Sequence, residues 1–131
     1  MQWASLEDTR ALEEECTWAE RDVPVTLYEL LTRTKNNFGS RPAVSYQLTS
    51  GPKDKAETLS WNELHQKTTQ TANMFRALGV GPNDVVAYIL PNATETVLSV
   101  LGGAVAGIVN PINPLLEADQ IAAILRETNA K

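Results

Sequence analysis

The 131-residue sequence has little cysteine, little histidine and no excess of basic charge. Cys16 is its one cysteine, so an internal disulfide is excluded, and a reducing compartment, the cytoplasm, is expected. Glu13, Glu14, Glu15 and Glu20 surround that thiol, and negative neighbours disfavour a nucleophilic thiolate. His65 is the one histidine, so no multi-histidine metal set can form, and no metal ligands are expected. Long apolar runs are also missing. The longest, Val97 to Val109, is too short for a bilayer and is broken by Gly102, Gly103 and Gly107. The first residues are acidic, which does not match a secretory signal. Lysine and arginine form no stripe, which argues against nucleic acid or an anionic membrane as partner. No G-x-x-x-x-G-K-[ST] loop, no G-x-G-x-x-G opening a helix and no serine elbow is present, so the residues by themselves offer no catalytic constellation.

What is there is an ordinary globular composition, 43% hydrophobic and 21% charged. The net charge of −5 falls wholly within residues 1–22, which hold seven acids and two bases. These residues form an acidic lead segment with a thin apolar face of Leu6, Leu12 and Trp18; residues 23–131 form an electrically balanced α/β body.

The body is organised around residues 79–114. Val85 to Leu90 (VVAYIL) is an unbroken apolar run between turn signals, as in a strand buried on both faces. Pro91 stops it. Asn92 is placed to cap a helix over about Ala93–Ala106, with Glu95 reaching back to the cap. That helix is apolar on nearly every side, Gly107 is read as its left-handed stop, and Ile108–Asn113 is the next strand. Strand, crossover helix and strand make a βαβ unit. The Gly102-Gly103 pair is expected to let the helix backbone pack closely on the sheet.

Around this unit the pattern predicts further elements. Thr26 and Glu29 make a capping box, stapled by Val25 and Leu30, for a helix ending near Gly39. Ala43–Leu48 and Glu57–Ser60 read as a hairpin joined by a polar tip. Ser60 and Glu63 open a second helix that ends at Gly79, with His65 as trim on it. A last helix covers about Glu117–Thr128, after which alternation predicts another strand. Ligands in open parallel sheets lie beyond the strand C-termini, where Pro91, Asn92, Asn113 and Pro114 stand.

Several segments, in this order, carry a family resemblance: Thr26-Leu27-Tyr28-Glu29-Leu30-Leu31, Arg41-Pro42-Ala43-Val44, Leu59-Ser60-Trp61-Asn62-Glu63-Leu64, Ala77-Leu78-Gly79-Val80-Gly81-Pro82-Asn83-Asp84-Val85-Val86-Ala87, Leu90-Pro91-Asn92, and Ala106-Gly107-Ile108-Val109-Asn110-Pro111-Ile112-Asn113-Pro114. In order and spacing the chain resembles the start of the acyl-adenylate-forming enzymes, the acyl-CoA synthetases and their relatives. Asn83 departs from the usual glycine, and Glu117-Ala118 from the usual Thr-Pro. The resemblance implies an α/β fold, a mostly parallel sheet flanked by helices with an N-terminal β-hairpin, forming the incomplete first lobe of a larger adenylate-forming domain.

For the parent enzyme it implies a ligase that joins a small-molecule carboxylic acid, such as a fatty acid, to coenzyme A. ATP and magnesium serve as cofactors, the acid passes through an acyl adenylate, and AMP and pyrophosphate are released. The family's phosphate loop, acyl pocket and catalytic lysine lie beyond the matching residues, so the implied role here is structural, with no catalytic residue and no cofactor bound by this chain alone. In some members the loop before the last helix approaches the CoA nucleotide; in this chain that loop is Asn113, Pro114 and Leu115, for which a purely structural role is the other reading. A stand-alone ligand- or protein-binding module on the same scaffold is the alternative function. A lobe of a larger domain should also expose apolar surface and form homo-oligomers.

Overall fold

The computed structural model describes residues 5–131. Helix α1 (Leu6–Glu15) is opened by Ser5, whose hydroxyl accepts from Asp8 N–H while the Asp8 carboxylate accepts from Ser5 N–H. It buries no residue. A 3-10 turn, Trp18–Arg21, follows, so the lead segment is a broken helix, tied together where the Arg21 guanidinium donates to Leu12 O.

Helix α2 (Leu27–Phe38) starts at the predicted capping box: Thr26 Oγ1 accepts from Glu29 N–H at 3.2 Å, and Glu29 Oε2 accepts from Thr26 N–H at 3.2 Å. The staple is absent. Val25 is 91% exposed and Leu30 48%, while the Val25 N–H donates to Glu29 Oε2 at 2.9 Å. Strand β1 (Pro42–Tyr46) pairs antiparallel with β2 (Glu57–Ser60), with an irregularity between Pro42 and Val44. Ser60 then caps α3 (Trp61–Ala77) with Glu63 as its reciprocal partner, and Leu59 and Leu64 are both buried beside that cap. Gly79 ends the turn at φ +89, a conformation glycine adopts freely.

Strand β3 (Val85–Tyr88), helix α4 (Thr94–Ala106) and strand β4 (Ile108–Pro111) form the βαβ unit, with β3 and β4 parallel and Val86 opposite Val109. Helix α5 (Ala118–Glu127) closes the order. The core lies where α3 and α4 cross over this ladder: Ala72, Val80, Val86 and Ala106 are buried together, with Phe75 and Val105 against them.

Three further expectations, on the strands and the α4 cap, need correction. There is no mostly parallel sheet among the described residues; two separate two-stranded ladders stand in its place, one antiparallel and one parallel. The VVAYIL run is shorter as a strand than its apolar character suggests. The ladder closes where Ile112 N–H donates to Tyr88 O, and Ile89 and Leu90, ahead of Pro91, have no strand opposite and are 45% and 37% exposed. Finally, α4 is not capped by Asn92. Its cap position is Ala93, which has no side chain able to accept, and the first turn is tied instead through buried Thr94, whose hydroxyl donates to Glu57 Oε2 at 2.8 Å.

The glycines show why backbone approaches so closely here. Gly103 faces Val109 and Val86, as expected for packing on the strands, but Gly102 faces Thr71 and Ala72 of α3. Gly107 is extended, at φ −161, and not left-handed; its constraint is space.

Thr68 is fully buried on α3, and its hydroxyl has no hydrogen-bond partner among the described residues. An unpaired buried hydroxyl costs about 1–3 kcal/mol, whereas valine has the same branched shape without it. Thr68→Val is therefore expected to raise the urea midpoint, by about 1 kcal/mol of stability.

Candidate functional site

The C-terminal ends of β3 and β4 are held level by the Ile112–Tyr88 hydrogen bond of 2.9 Å, with Ile112 itself buried. Beyond them two loops emerge. In the second, Asn113 Oδ1 accepts from Leu115 N–H at 3.0 Å, and Asn113 O accepts from Leu116 N–H at 3.3 Å. This is an Asx turn, for which asparagine is suited by its short side chain. It leads into α5, where Gln120 Oε1 accepts from Glu117 N–H. Asn113, Pro114 and Leu115 are all exposed, Leu115 at 87%. They present an apolar ridge and backbone carbonyls.

In the first loop, the Thr96 hydroxyl donates to Pro91 O. Asn92 and Ala93 line a cleft of about 240 Å³ against Val44, Ser45 and Tyr46 of β1. The Asn113–Leu115 turn does not line this cleft. The structure thus puts both predicted strand-end loops at one end of the ladder without joining them in one concavity.

A larger cleft, about 480 Å³, lies at the other end of α4, lined by Thr26, Tyr28, Thr69, Asn73, Arg76 and Val105 among others. The Tyr28 hydroxyl and Thr69 Oγ1 are 3.1 Å apart across it, and Arg76 donates to Val105 O at 3.3 Å.

Neither strand-end loop, residues 89–93 or 112–117, contains lysine or arginine. Among the described residues no group of three or more His, Cys, Asp or Glu side chains could hold a metal. The two strand-end loops therefore supply no side-chain cation of the kind that neutralises phosphate.

Two titrating groups are well defined. The Lys131 ammonium, donating to Asp84 Oδ2 at 2.8 Å, and Gly81 N–H, at 2.7 Å, hold the Asp84 carboxyl below the usual range. His65 lies between α2 and α3, its Nε2 at 2.9 Å from Thr32 Oγ1 and its ring centroid 5.0 Å from that of Tyr28. Burial first, then the nearby Lys35, lowers its pKa from 6.5. Folding thus favours neutral His65, and stability is greatest above the unfolded-state pKa. It should fall as pH drops from about 6.5 through the lower folded value, and level off below it. Urea midpoints measured between about pH 7 and pH 5 should show this decline, and His65→Gln should flatten it.

The residue pattern carries a signal for this last cluster. Tyr28 with Thr32, and His65 with Thr69, are each four apart on facing helices, a spacing that puts polar groups on one face. The Asp84–Lys131 and Glu57–Thr94 pairs have no such signal, since their members are 47 and 37 residues apart.

Comparison with known proteins gives a consistent result. A family model described as AMP-binding enzyme matches residues 31–131. The sequence is 30% identical over 110 residues to marinolic acid–CoA ligase of a Pseudoalteromonas species, covering 84% of this chain and 17% of that protein. It is 32% identical over 108 residues to 4-coumarate–CoA ligase 1 of Arabidopsis thaliana, covering 82% and 18% respectively. The chain therefore spans less than a fifth of the length of these curated relatives. Its fold superposes on a fatty acyl CoA synthetase of Mycobacterium tuberculosis with a TM-score of 0.69 at 21% identity, covering 81% of this chain and 20% of the other. It superposes equally on the N-terminal subdomain of Klebsiella oxytoca NpsA, with a TM-score of 0.68 at 15% identity over 81% of this chain and 26% of that one.

Proposed function

Because this chain belongs to the AMP-binding enzyme family, we propose that it serves as the first structural lobe of an ATP-dependent acyl-CoA synthetase. The observation that supports this most is the family match across 31–131, with relatives that are CoA ligases several times longer. The reaction of the whole enzyme would join a carboxylic acid to coenzyme A, with ATP and magnesium, through an acyl adenylate.

This lobe's own contribution is positional. The α3–α4 crossing and the β3–β4 ladder fix where the strand-end loops stand. Asn113, Pro114 and Leu115 offer an uncharged ridge against which the CoA nucleotide would lie, held in shape by the Asn113 turn. With no phosphate loop, no metal ligand set and no catalytic lysine among its matching residues, the chain by itself does not adenylate. ATP–pyrophosphate exchange with a panel of fatty, aromatic and short-chain acids should give no turnover above background. Exchange catalysed by this polypeptide would overturn the reading. The single thiol, half-buried at Cys16, supports a cytoplasmic setting.

Self-association belongs to the same reading. Leu78, Met74 and Leu30 are 73%, 50% and 48% exposed, and apolar surface of this kind drives association. Light scattering at micromolar concentration should report a dimer or larger species; a monomer would contradict it.

A further inference from the structure

The larger cleft, about 480 Å³, has the size of a small-molecule site. Its lining is of two kinds. Thr69, Asn73 and Arg76 stand at i, i+4 and i+7 on α3, a spacing that puts all three on one helical face. Leu27 of α2 and Ala104 and Val105 of α4, together with buried Ala72, supply the apolar part.

The hydrogen bonds already made decide which polar groups can take a ligand. A hydroxyl carries one proton. Thr69 gives its proton to His65 O at 2.8 Å, so its oxygen accepts from Tyr28 at 3.1 Å, and the phenol proton is committed in turn. Neither residue has a proton left for an incoming anion. Arg76 is in the opposite position. It donates to Val105 O, in the last turn of α4, at 3.3 Å, which anchors the guanidinium at the cleft. The remainder of its five-donor fork is uncommitted, and it forms no salt bridge among the described residues. Asn73, exposed one turn earlier, adds amide donors. No carboxylate lines the cleft among the described residues, so Arg76 is its one charge. Tying down the end of α4 accounts for where the guanidinium sits, but leaves its charge unmatched.

We propose that this cleft binds a small monocarboxylate with an apolar body. The carboxylate lies on Arg76 and Asn73, and the body lies against Leu27, Ala104 and Val105. A single guanidinium suits a single negative charge, and its parallel N–H groups match the two carboxylate oxygens. The apolar lining disfavours a bare anion such as inorganic phosphate. The cleft draws on α2, α3 and α4 and on neither strand-end loop, so the assignment goes beyond the lobe's proposed role and does not depend on it.

The test titrates the isotope-labelled chain with benzoate at constant ionic strength and follows amide shifts by NMR. The Thr69, Asn73, Arg76 and Ala104 amides should move together and saturate with a Kd of about 1 mM. Benzamide keeps the ring without the charge and acetate the charge without the ring, and each should bind about tenfold more weakly. Arg76→Gln should weaken benzoate binding about tenfold. Asn73→Asp, an isosteric change at an exposed position, should weaken it at least as much, because the new carboxylate repels the ligand and competes for the guanidinium. This second variant keeps the Arg76–Val105 hydrogen bond, so it decides the matter even where Arg76→Gln loosens α4. Shifts that fail to saturate, equal affinity for benzamide, or unchanged affinity in Asn73→Asp would overturn the proposal. So would movement of the same amides on raising the protein concentration without acid, because a second copy would then fill the cleft.

Discussion

Replacing Gly107 by alanine is expected to remove about 3 kcal/mol of stability, the upper end for forced overpacking. A methyl group there would lie 2.5 Å from Asp84 O, 2.8 Å from Gly81 O and 3.0 Å from Val80 Cγ1. Two of these neighbours are backbone carbonyls, which cannot rotate away. Asp84 O also receives the first hydrogen bond of the parallel ladder, from Ile108 N–H. Moving it would disturb the entry to β4 and the Asp84–Lys131 pair together. In thermal unfolding, the loss should appear as a drop of about 10 °C for a domain of this size. An unchanged midpoint would mean that the 81–84 turn yields without resistance, contrary to the packing described.

The second large effect separates two adjacent glycines. Gly102→Ala would place a carbon 2.5 Å from Thr71 Cγ2, 2.6 Å from Thr71 Cβ and 3.2 Å from Ala72 N. The Thr71 hydroxyl donates to Lys67 O at 2.9 Å, which holds that side chain in place. Alanine gains about 1 kcal/mol over glycine as a helix former, but separating α3 from α4 should outweigh it, for a net loss of about 2 kcal/mol. Gly103→Ala meets nothing closer than Val109 Cγ2 at 3.4 Å, an ordinary contact. There the helix gain should dominate, and stability should rise by up to about 1 kcal/mol. Chemical denaturation of the two variants should therefore give midpoints on opposite sides of the parent. Adding Thr71→Ser to Gly102→Ala should recover part of the loss, because it deletes the nearest methyl and keeps the hydroxyl.

Much of this architecture is legible from residue order. The capping boxes at Thr26–Glu29 and Ser60–Glu63 are local, reciprocal devices, and the structure contains both. The βαβ unit is equally plain, because its apolar helix and flanking glycines have few other uses. Extents and partners are harder to read. Apolar character in Ile89 and Leu90 says that a surface is to be covered, not that a strand pairs there, so the apolar run overstates the length of β3. Asn92 is a good cap by type, yet the helix begins one residue later, where Thr94 finds Glu57 across 37 positions. Gly107 is a necessary glycine, but not as the left-handed stop its position suggests, since crowding by distant carbonyls has no local signature. For the candidate site, sequence places Asn113 at a strand end, but neither the turn it makes with Leu115 nor the separation of that turn from Asn92 is visible there.

The two ladders close over different lengths of chain. β1 meets β2 after the short polar stretch 47–56, whereas β3 meets β4 only once the whole of α4 has been threaded between them. Short closures form early and long ones wait for the helix that bridges them. A weakened seat of α4 on α3 is therefore expected to slow refolding more than it speeds unfolding, which stopped-flow rates of Gly102→Ala against the parent would show.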